Sequence, residues 1–265
     1  YKTPGVHVEK ATDRFVAVEK VPTGVCAFVG CAAAGPVNEP VRITTLEAFA
    51  NTFGNDGSFL ALAVKGFFDN GGETAYVLNV APEGRDPVPD DYIGARGEAK
   101  RGLRLLEDLE EADLLCIPDL MRWYAQTDGF ADPDSVAAVQ QEMVAHCERR
   151  KDRFALLDAL PGMSLDEAIE WRGRFDSSFA AFYYPWIIVR TGAEGGAPCP
   201  PSGHMAGIYA RADRTEGIHR APANIRVEGV IDVERLVRKR ERDWLWEHAV
   251  NGIYPFYSRG LRAWG

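Results

Sequence analysis

Three side chains in the second half of the chain have the chemical types of a nucleophilic catalytic set. Cys199 is followed by His204 and Asp213, and a thiol, an imidazole and a carboxylate can together activate a nucleophile. Cys199, however, lies between two prolines, with no helix N-terminus and no general base clearly placed beside it. We therefore predict no catalytic role for this set.

Two acids follow short apolar runs, at positions where α/β enzymes place catalytic carboxylates. Asp119 and Asp158 each lie just beyond a predicted strand. Acids at strand ends also commonly cap helices or lie in loops, and this is the default interpretation. They indicate no reaction by themselves.

A glycine-bounded loop follows the first predicted strand, as a phosphate-binding loop would. The segment GCAAAG, 30–35, has the GxxxxG spacing but continues with Pro36 and Val37. A P-loop has Lys and Ser or Thr there, and without them nothing holds the β- and γ-phosphates or magnesium. No GxGxxG occurs either, so we predict no nucleotide cofactor.

The cysteines and histidines show no metal-site spacing. Cys26 and Cys31 lie near the first predicted strand, and no second Cys or His pair matches a zinc site. The five cysteines are an odd number, which favours reduced, buried thiols in a cytoplasmic protein. We predict no metal site.

Alternating strand and helix patterns fill most of the chain. Predicted strands cover 25–29, 74–80, 113–117, 154–157 and 180–189. Predicted helices cover 45–53, 58–70, 97–110, 132–150, 164–174 and 200–217, and 82–91 is predicted as a loop. This alternation predicts an α/β fold: a mostly parallel, doubly wound sheet with flanking helices, over about residues 25–190.

Charge and hydropathy argue against nucleic-acid and membrane partners. The 265 residues contain 39 acids and 30 basic residues, for a net charge of −9. The one dense basic run, interrupted by acids, predicts a solvated helix face rather than a phosphate-binding patch. It consists of Arg235, Arg238, Lys239, Arg240 and Arg242. The most apolar stretch, 179–189, contains Pro185 and is well short of the ~20 residues that cross a bilayer.

Several long segments, in order, resemble one family over nearly the whole chain. They include CERRKDRFALLD (147–158), DSSFAAFYYPWIIV (176–189), PPSGHMAGIYARADRTEGIHRAPAN (200–224) and NGIYPFYSRGLRAWG (251–265). The opening TPGVHVEK and the stretch from TGVCAFVG to TTLEAF fit as well. The chain thus resembles the tail sheath proteins of contractile phage tails and bacterial contractile injection systems.

The resemblance implies a structural protein that acts by assembly. Sheath subunits of this family form six-subunit rings that stack helically around an inner tube, between a baseplate and terminal cap proteins. Their contraction drives the tube through a target envelope. The resemblance implies assembly in the bacterial cytoplasm, as part of a phage tail or a phage tail-like particle.

The resemblance also implies that extended terminal strands join neighbouring subunits. The candidate inter-subunit strand is Val6, His7, Val8 and Glu9, within 2–10, because apolar and polar residues alternate there as in an edge strand.

The expected organisation is a linker strand over 1–20, an α/β core over 21–190 and a C-terminal sheath segment over 191–265. The terminal segments are expected to build a small α+β subdomain. Family members continue beyond the position of Gly265, so this sequence is either a fragment or a shortened variant. A fragment is favoured because ending there would leave a sheet edge unpaired. With no large insertion after Val80, a minimal sheath is indicated.

Two other functions stay open at this stage. One is an α/β hydrolase-like enzyme that uses the strand-end acids or Cys199 with His204. The other is a sheath-related cap or binding protein that does not polymerise. Pairing of the 2–10 segment with a neighbouring subunit would separate the sheath from the cap.

Overall fold

The computed structural model describes residues 22–94, 100–126, 132–191 and 195–264. The strands are β1 (Cys26–Gly30), β2 (Val41–Ile43), β3 (Ala75–Asn79), β4 (Leu114–Cys116), β5 (Phe154–Asp158), β6 (Ala180–Tyr184), β7 (Ile187–Thr191), β8 (Gly195–Cys199), β9 (Val230–Val233), β10 (Asn251–Phe256) and β11 (Gly260–Trp264). The helices are α1 (Leu46–Phe53), α2 (Phe59–Asp69), α3 (Pro89–Ile93), a 3-10 helix (Gly102–Asp108), α4 (Leu120–Gln126), α5 (Pro133–Arg150), α6 (Leu165–Arg172), α7 (Ser202–Thr215) and α8 (Lys239–Glu247).

The main sheet has eight strands in the order β11-β10-β6-β5-β4-β1-β3-β2. The six inner strands are parallel to one another, and β11 and β2 are antiparallel to β10 and β3 at the two edges. All five residues of β1 are buried, as expected of a strand covered on both faces. The predicted mostly parallel α/β sheet is confirmed.

Alternate residues of the central strands supply two hydrophobic cores. Ala27 and Val29 point into the core that α5, α6 and α8 cover, whereas Cys26 and Phe28 point into the core under α1, α2 and α7. The period of two in an extended strand produces this division. Helices therefore flank both faces of the sheet.

Glycines let α2 and α7 approach very closely. A Cβ on Gly203 would lie 2.4 Å from the Cα of Ala63, and one on Gly207 would lie 2.4 Å from the carbonyl oxygen of Phe67. A Cβ on Gly66 would collide with the imidazole of His204. The glycines of α7 thus allow its backbone to pack closely against α2.

The prediction of one continuous strand over 180–189 was wrong. The segment divides into β6, in the main sheet, and β7, which lies between β8 and β9 in a second, three-stranded sheet. Pro185 stands at the division, where its missing N–H cannot continue a ladder. Trp186 then anchors the junction, because its indole Nε1 donates to the carbonyl oxygen of Ala159 at 2.8 Å.

Other differences concern short elements. The predicted loop 82–91 ends in α3, where the Asp91 carboxylate accepts from the backbone N–H of Val88. Within the predicted helix 97–110 the structure has the short 3-10 helix, and 95–99 lie outside the described residues. A second small sheet is present, but it is built by β7, β8 and β9, whereas β10 and β11 extend the main sheet because Ile253 and Tyr254 are buried in its two cores.

Candidate functional site

Asp119 is a structural cap. Its Oδ1 accepts from the backbone N–H of Leu60, in the first turn of α2, at 3.2 Å, and its Oδ2 accepts from the N–H of Cys31 at 3.0 Å. The side chain is fully buried, and burial raises the pKa of Asp119 to about 6 despite these two bonds. The carboxylate thus connects the end of β1 to the start of α2.

Asp158 performs the same task for α7. Its Oδ1 accepts from the backbone N–H of Ser202 at 2.8 Å, at the first position of the helix. Burial raises the pKa of Asp158 to about 7, while the hydrogen bond from the backbone N–H of Ser202 lowers it. Both strand-end acids are therefore helix caps, as their default interpretation predicted.

The buried Asp158 gives a testable dependence of stability on pH. Its pKa lies near 3.8 when unfolded and near 7 when folded, so between these values the folded state holds the extra proton. The contribution of Asp158 to the free energy of unfolding must then decrease as pH rises from about 4 to 7. We compare the free energy of unfolding of Asp158→Asn with that of the unmutated protein. This difference should favour the variant by about 2–3 kcal/mol more at pH 8 than at pH 5. Urea unfolding at both pH values measures this difference. Exposed Asp86→Asn is the control, and a pH-independent difference for Asp158→Asn would contradict the argument.

Cys199 and His204 make separate contacts. The Cys199 thiol donates to the carbonyl oxygen of Pro200 at 3.4 Å, and burial raises its pKa well above the usual value. The His204 imidazole lies over Gly66, and burial lowers its pKa to about 4. Asp213 is nine residues further along α7, about 13 Å away along the axis. The geometry brings no thiolate, base and carboxylate together here.

Backbone N–H groups of the GCAAAG loop donate hydrogen bonds to other parts of the protein. The N–H of Cys31 donates to Asp119, that of Ala32 to Asn79 Oδ1, and that of Ala34 to the carbonyl oxygen of Phe53. A phosphate cradle needs such N–H groups to point at the ligand. The loop instead closes the fold between β1, β3 and α1.

The five cysteines are buried and free, as predicted. Cys26 and Cys116 are neighbours on adjacent strands, with 3.6 Å between their sulfur atoms. Within the described ranges no group of three or more His, Cys, Asp or Glu side chains could hold a metal ion. Across the same ranges no helix is both long enough and apolar enough to cross a bilayer.

The basic run lies at the start of α8, largely in solvent. Arg235, Arg238, Lys239 and Arg240 are exposed, which agrees with the predicted solvated face. Arg242 differs, because its Nε donates to the carbonyl oxygen of Val237 and its guanidinium lies 4.6 Å over the ring of Tyr254. This contact attaches α8 to β10.

The main sheet has an open edge inside it, between β6 and β10. β5 pairs with β6 from Ala180 to Tyr183, but β10 pairs with β6 only at Tyr183 and Tyr184. Along the first half of β6, on the side away from β5, the described strands provide no partner. The Asn251 side chain donates to the carbonyl oxygen of Phe182 there. We call this edge, residues 180–182 with Asn251, the β6 notch.

Two cavities open onto the β6 notch, one on each face of the sheet, and both reach Ala180, Ala181 and Asn251. The first, of about 380 Å³, is lined by Leu157, Arg172, Phe175, Phe182, Trp246 and Val250. The second, of about 290 Å³, is lined by Phe154, Tyr183, Tyr209, Pro222, Ala263 and Trp264. Trp246 and Trp264 are 68% and 43% exposed, so large apolar rings border a free strand edge.

Sequence reasoning did not find this feature. The available signal was the pair of tryptophans, Trp246 and Trp264, near the end of the chain. The candidate inter-subunit strand, Val6, His7, Val8 and Glu9, lies outside the described residues.

Known sheath structures share this fold. The chain superposes on a subunit of the anti-feeding prophage (AFP) helical sheath in its contracted state with a TM-score of 0.71 and 24% identity, covering 100% of this chain and 68% of that one. A chain of the six-fold symmetrised AFP baseplate superposes with a TM-score of 0.70 and 23% identity, covering 100% of this chain and 68% of that one. A chain of the contracted PVC sheath complex, from an extracellular contractile injection system, superposes with a TM-score of 0.68 and 21% identity, covering 100% of this chain and 66% of that one. The chain therefore spans about two thirds of the length of these relatives.

The sequence itself supports the same assignment. No curated protein sequence matches the chain significantly. A family model described as the phage tail sheath protein central domain matches residues 123–265, more than half of the chain. Since this match includes β5 to β11 and the superpositions cover the entire fold, the chain belongs to the phage tail sheath protein family.

Proposed function

We propose that this chain is the structural subunit of a contractile sheath. Six subunits form a ring, rings stack helically around an inner tube, and contraction drives the tube through a target envelope. The single observation that carries the proposal is the match of 123–265 to the phage sheath central domain. The superposition on a contracted AFP sheath subunit supports it.

The polar chemistry of the core supports a role without catalysis. Asp119 and Asp158 cap helices, and Cys199 and His204 are buried with no hydrogen bond between them. Groups engaged in this way hold a rigid body in shape, and a rigid body is what a sheath moves.

The proposed partners are further copies of the chain, the inner tube, the baseplate and terminal cap proteins. Relatives of the same fold occur in a sheath and in a baseplate of AFP, which supports further copies of the chain and the baseplate as partners. The particle is assembled in the bacterial cytoplasm, as a phage tail or a phage tail-like particle. An extended array that is metastable by a few kcal/mol per subunit would supply a large thrust through many coupled copies.

Neighbouring subunits are joined by an extended strand from residues 2–10. Four to six main-chain hydrogen bonds at such a junction would contribute about 2–9 kcal/mol. A strand link of this kind would keep subunits attached while their cores rotate and repack.

Proline at position 8 tests this link. Val8→Pro removes one N–H from the strand and should reduce the pelletable, polymeric fraction by at least tenfold. Ultracentrifugal sedimentation measures that fraction, and Val8→Thr, which keeps the N–H and the β-branch, is the matched control. Unchanged polymer with Val8→Pro would contradict the strand link.

A further inference from the structure

We propose that His204 is an acid-sensitive latch between α2 and α7, and that protonation of its imidazole opens this pair of helices. The latch consists of His204 on α7 and the surface of α2 around Gly66. The inference goes beyond the sheath function, because it concerns the folded subunit in any state of assembly.

The His204 ring lies inside the contact between the two helices. Its side chain is 2% exposed, and a Cβ on Gly66 would lie 2.3 Å from both Nδ1 and Cε1 of the imidazole. The backbone of α2 therefore touches the ring directly and closes it off from water. A proton on this ring must be accommodated inside the contact, or the two helices must separate.

The Nδ1 atom is built into the contact without a partner. It is buried, and no hydrogen-bond donor or acceptor among the described residues reaches it. In the neutral ring with its hydrogen on Nε2, Nδ1 carries only a lone pair. The imidazolium has an N–H on both nitrogens, so Nδ1 would become a buried donor with no acceptor, which is costly in a protein core. The contact thus accepts the neutral ring and resists the charged one.

Two charged side chains of α2 lie near His204. Lys65 and Asp69 form an ion pair one helical turn apart. A Cβ on Gly229 would lie 3.2 Å from Asp69 Oδ2 and 3.9 Å from His204 Nε2, so the carboxylate is close to the Nε2 side of the ring. Because Lys65 already neutralises this acid, Asp69 compensates only part of the cost of a charged imidazole.

The titratable groups of the neighbouring strands are bound to the first turn of α7. Asp158 of β5 accepts from the N–H of Ser202, and the thiol of Cys116 on β4 donates to the Ser202 carbonyl oxygen at 3.7 Å. Neither group bonds to His204, two residues further along. The N-terminal end of the helix dipole is positive, so it too disfavours a cation at this position.

Proton linkage gives the latch its direction. Burial lowers the pKa of His204 to about 4, with smaller contributions from Asp69, which raises it, and Lys65, which lowers it. Once the helices separate, the imidazole regains its ordinary pKa near 6.5. Between these values the open form holds a proton that the closed form lacks, so closure is favoured above pH 6.5 and loses this advantage as pH falls. The opening constant should rise about 20-fold from pH 7 to pH 5 through His204 alone.

Hydrogen exchange followed by mass spectrometry tests the latch in peptides from α2 and α7. The unmutated chain and His204→Gln are compared at pH 7, 6 and 5, with rates corrected for the intrinsic effect of pH. The ratio of their opening constants, unmutated over variant, should rise about 20-fold from pH 7 to pH 5. The ratio cancels groups present in both chains, such as Asp158, whose raised pKa acts in the opposite direction. A ratio that is independent of pH would overturn the proposal.

His248→Gln is the matched control, because His248 is exposed at the end of α8. Its ring is already in contact with water, so the same ratio for this variant should not change with pH. A change as large as that of His204→Gln would mean that protonation of histidines in general opens the helices, and would exclude a specific latch.

Two further variants keep the proposal testable if His204→Gln does not fold. His204→Phe keeps a ring in the contact without titrating nitrogens, and should give the same 20-fold change, or about that. Lys65→Gln alters only a side chain that is 48% exposed. Loss of Lys65 should raise the pKa of His204 in the closed form, and so reduce the gain in opening between pH 7 and pH 4. An unchanged or larger gain would place the titrating group elsewhere and overturn the proposal.

Discussion

Replacing Gly203 with valine is expected to separate α7 from α2 and to lower the free energy of unfolding by about 3 kcal/mol or more. Even the Cβ of the new side chain would lie 2.4 Å from the Cα of Ala63 and 2.5 Å from its carbonyl oxygen. Both obstacles are backbone or immediately attached to it, so no side-chain rotation removes the collision. The two helices must move apart, and the core between them opens.

Chemical denaturation measures this loss, and a glycine outside the helix contact provides the control. Gly173, at the end of α6, has an ordinary helical conformation, and its Cβ would meet the carbonyl oxygens of Glu170 at 3.2 Å and Ile169 at 3.6 Å. Gly173→Ala should change the free energy of unfolding by less than about 0.5 kcal/mol. If Gly203→Val were as mild as this control, the close approach of α2 and α7 would be wrong.

Trp186→Ala is the second large effect. Trp186 is buried at the junction of the two sheets, its ring lies edge-on to Phe59 at 5.3 Å, and its indole N–H donates to Ala159. Truncation removes the packing and leaves a buried carbonyl without its donor. We expect a loss of about 3–5 kcal/mol in the free energy of unfolding.

Tyr257→Ala is the matched control for aromatic truncation. Tyr257 is 99% exposed, in the turn between β10 and β11. Tyr257→Ala should change the free energy of unfolding by less than about 0.5 kcal/mol in the same denaturation measurement. Equal effects at the two positions would contradict the assignment of Trp186 to the sheet junction.

Features set by local sequence were predicted well. Thr45, Ser58, Asp132 and Ser164 each accept a hydrogen bond from a backbone N–H in the first turn of the predicted helix. A capping side chain acts within three or four residues of itself, so its effect is visible in a short window of sequence.

Features set by distant pairing were not predicted. The apolar residues of 180–189 are equally suited to one long strand or to two strands in different sheets. The division between β6 and β7 follows from the partners available to each half, β5 for one and β8 with β9 for the other. The β6 notch was missed for the same reason, because it exists only where β10 begins later than β6.

The strand-end acids combine a feature set by local sequence, their position, with a feature set by distant contacts, their hydrogen-bond partners. The positions of Asp119 and Asp158 at strand ends were evident from the sequence. The partners of Asp119, Leu60 and Cys31, lie 59 and 88 residues away along the chain. The partner of Asp158, Ser202, lies 44 residues away. Only the fold shows that these acids close helix ends and carry raised pKa values as a consequence of burial.

Negative-stain electron microscopy of the purified chain, with and without the inner tube, tests the central claim most directly. We predict hollow cylinders, or stacked rings whose end-on class averages have six-fold symmetry, formed spontaneously or on the tube as a template. Discrete monomers at high concentration that stay unchanged after the tube is added would contradict a sheath role, and would favour a non-polymerising relative of the sheath proteins.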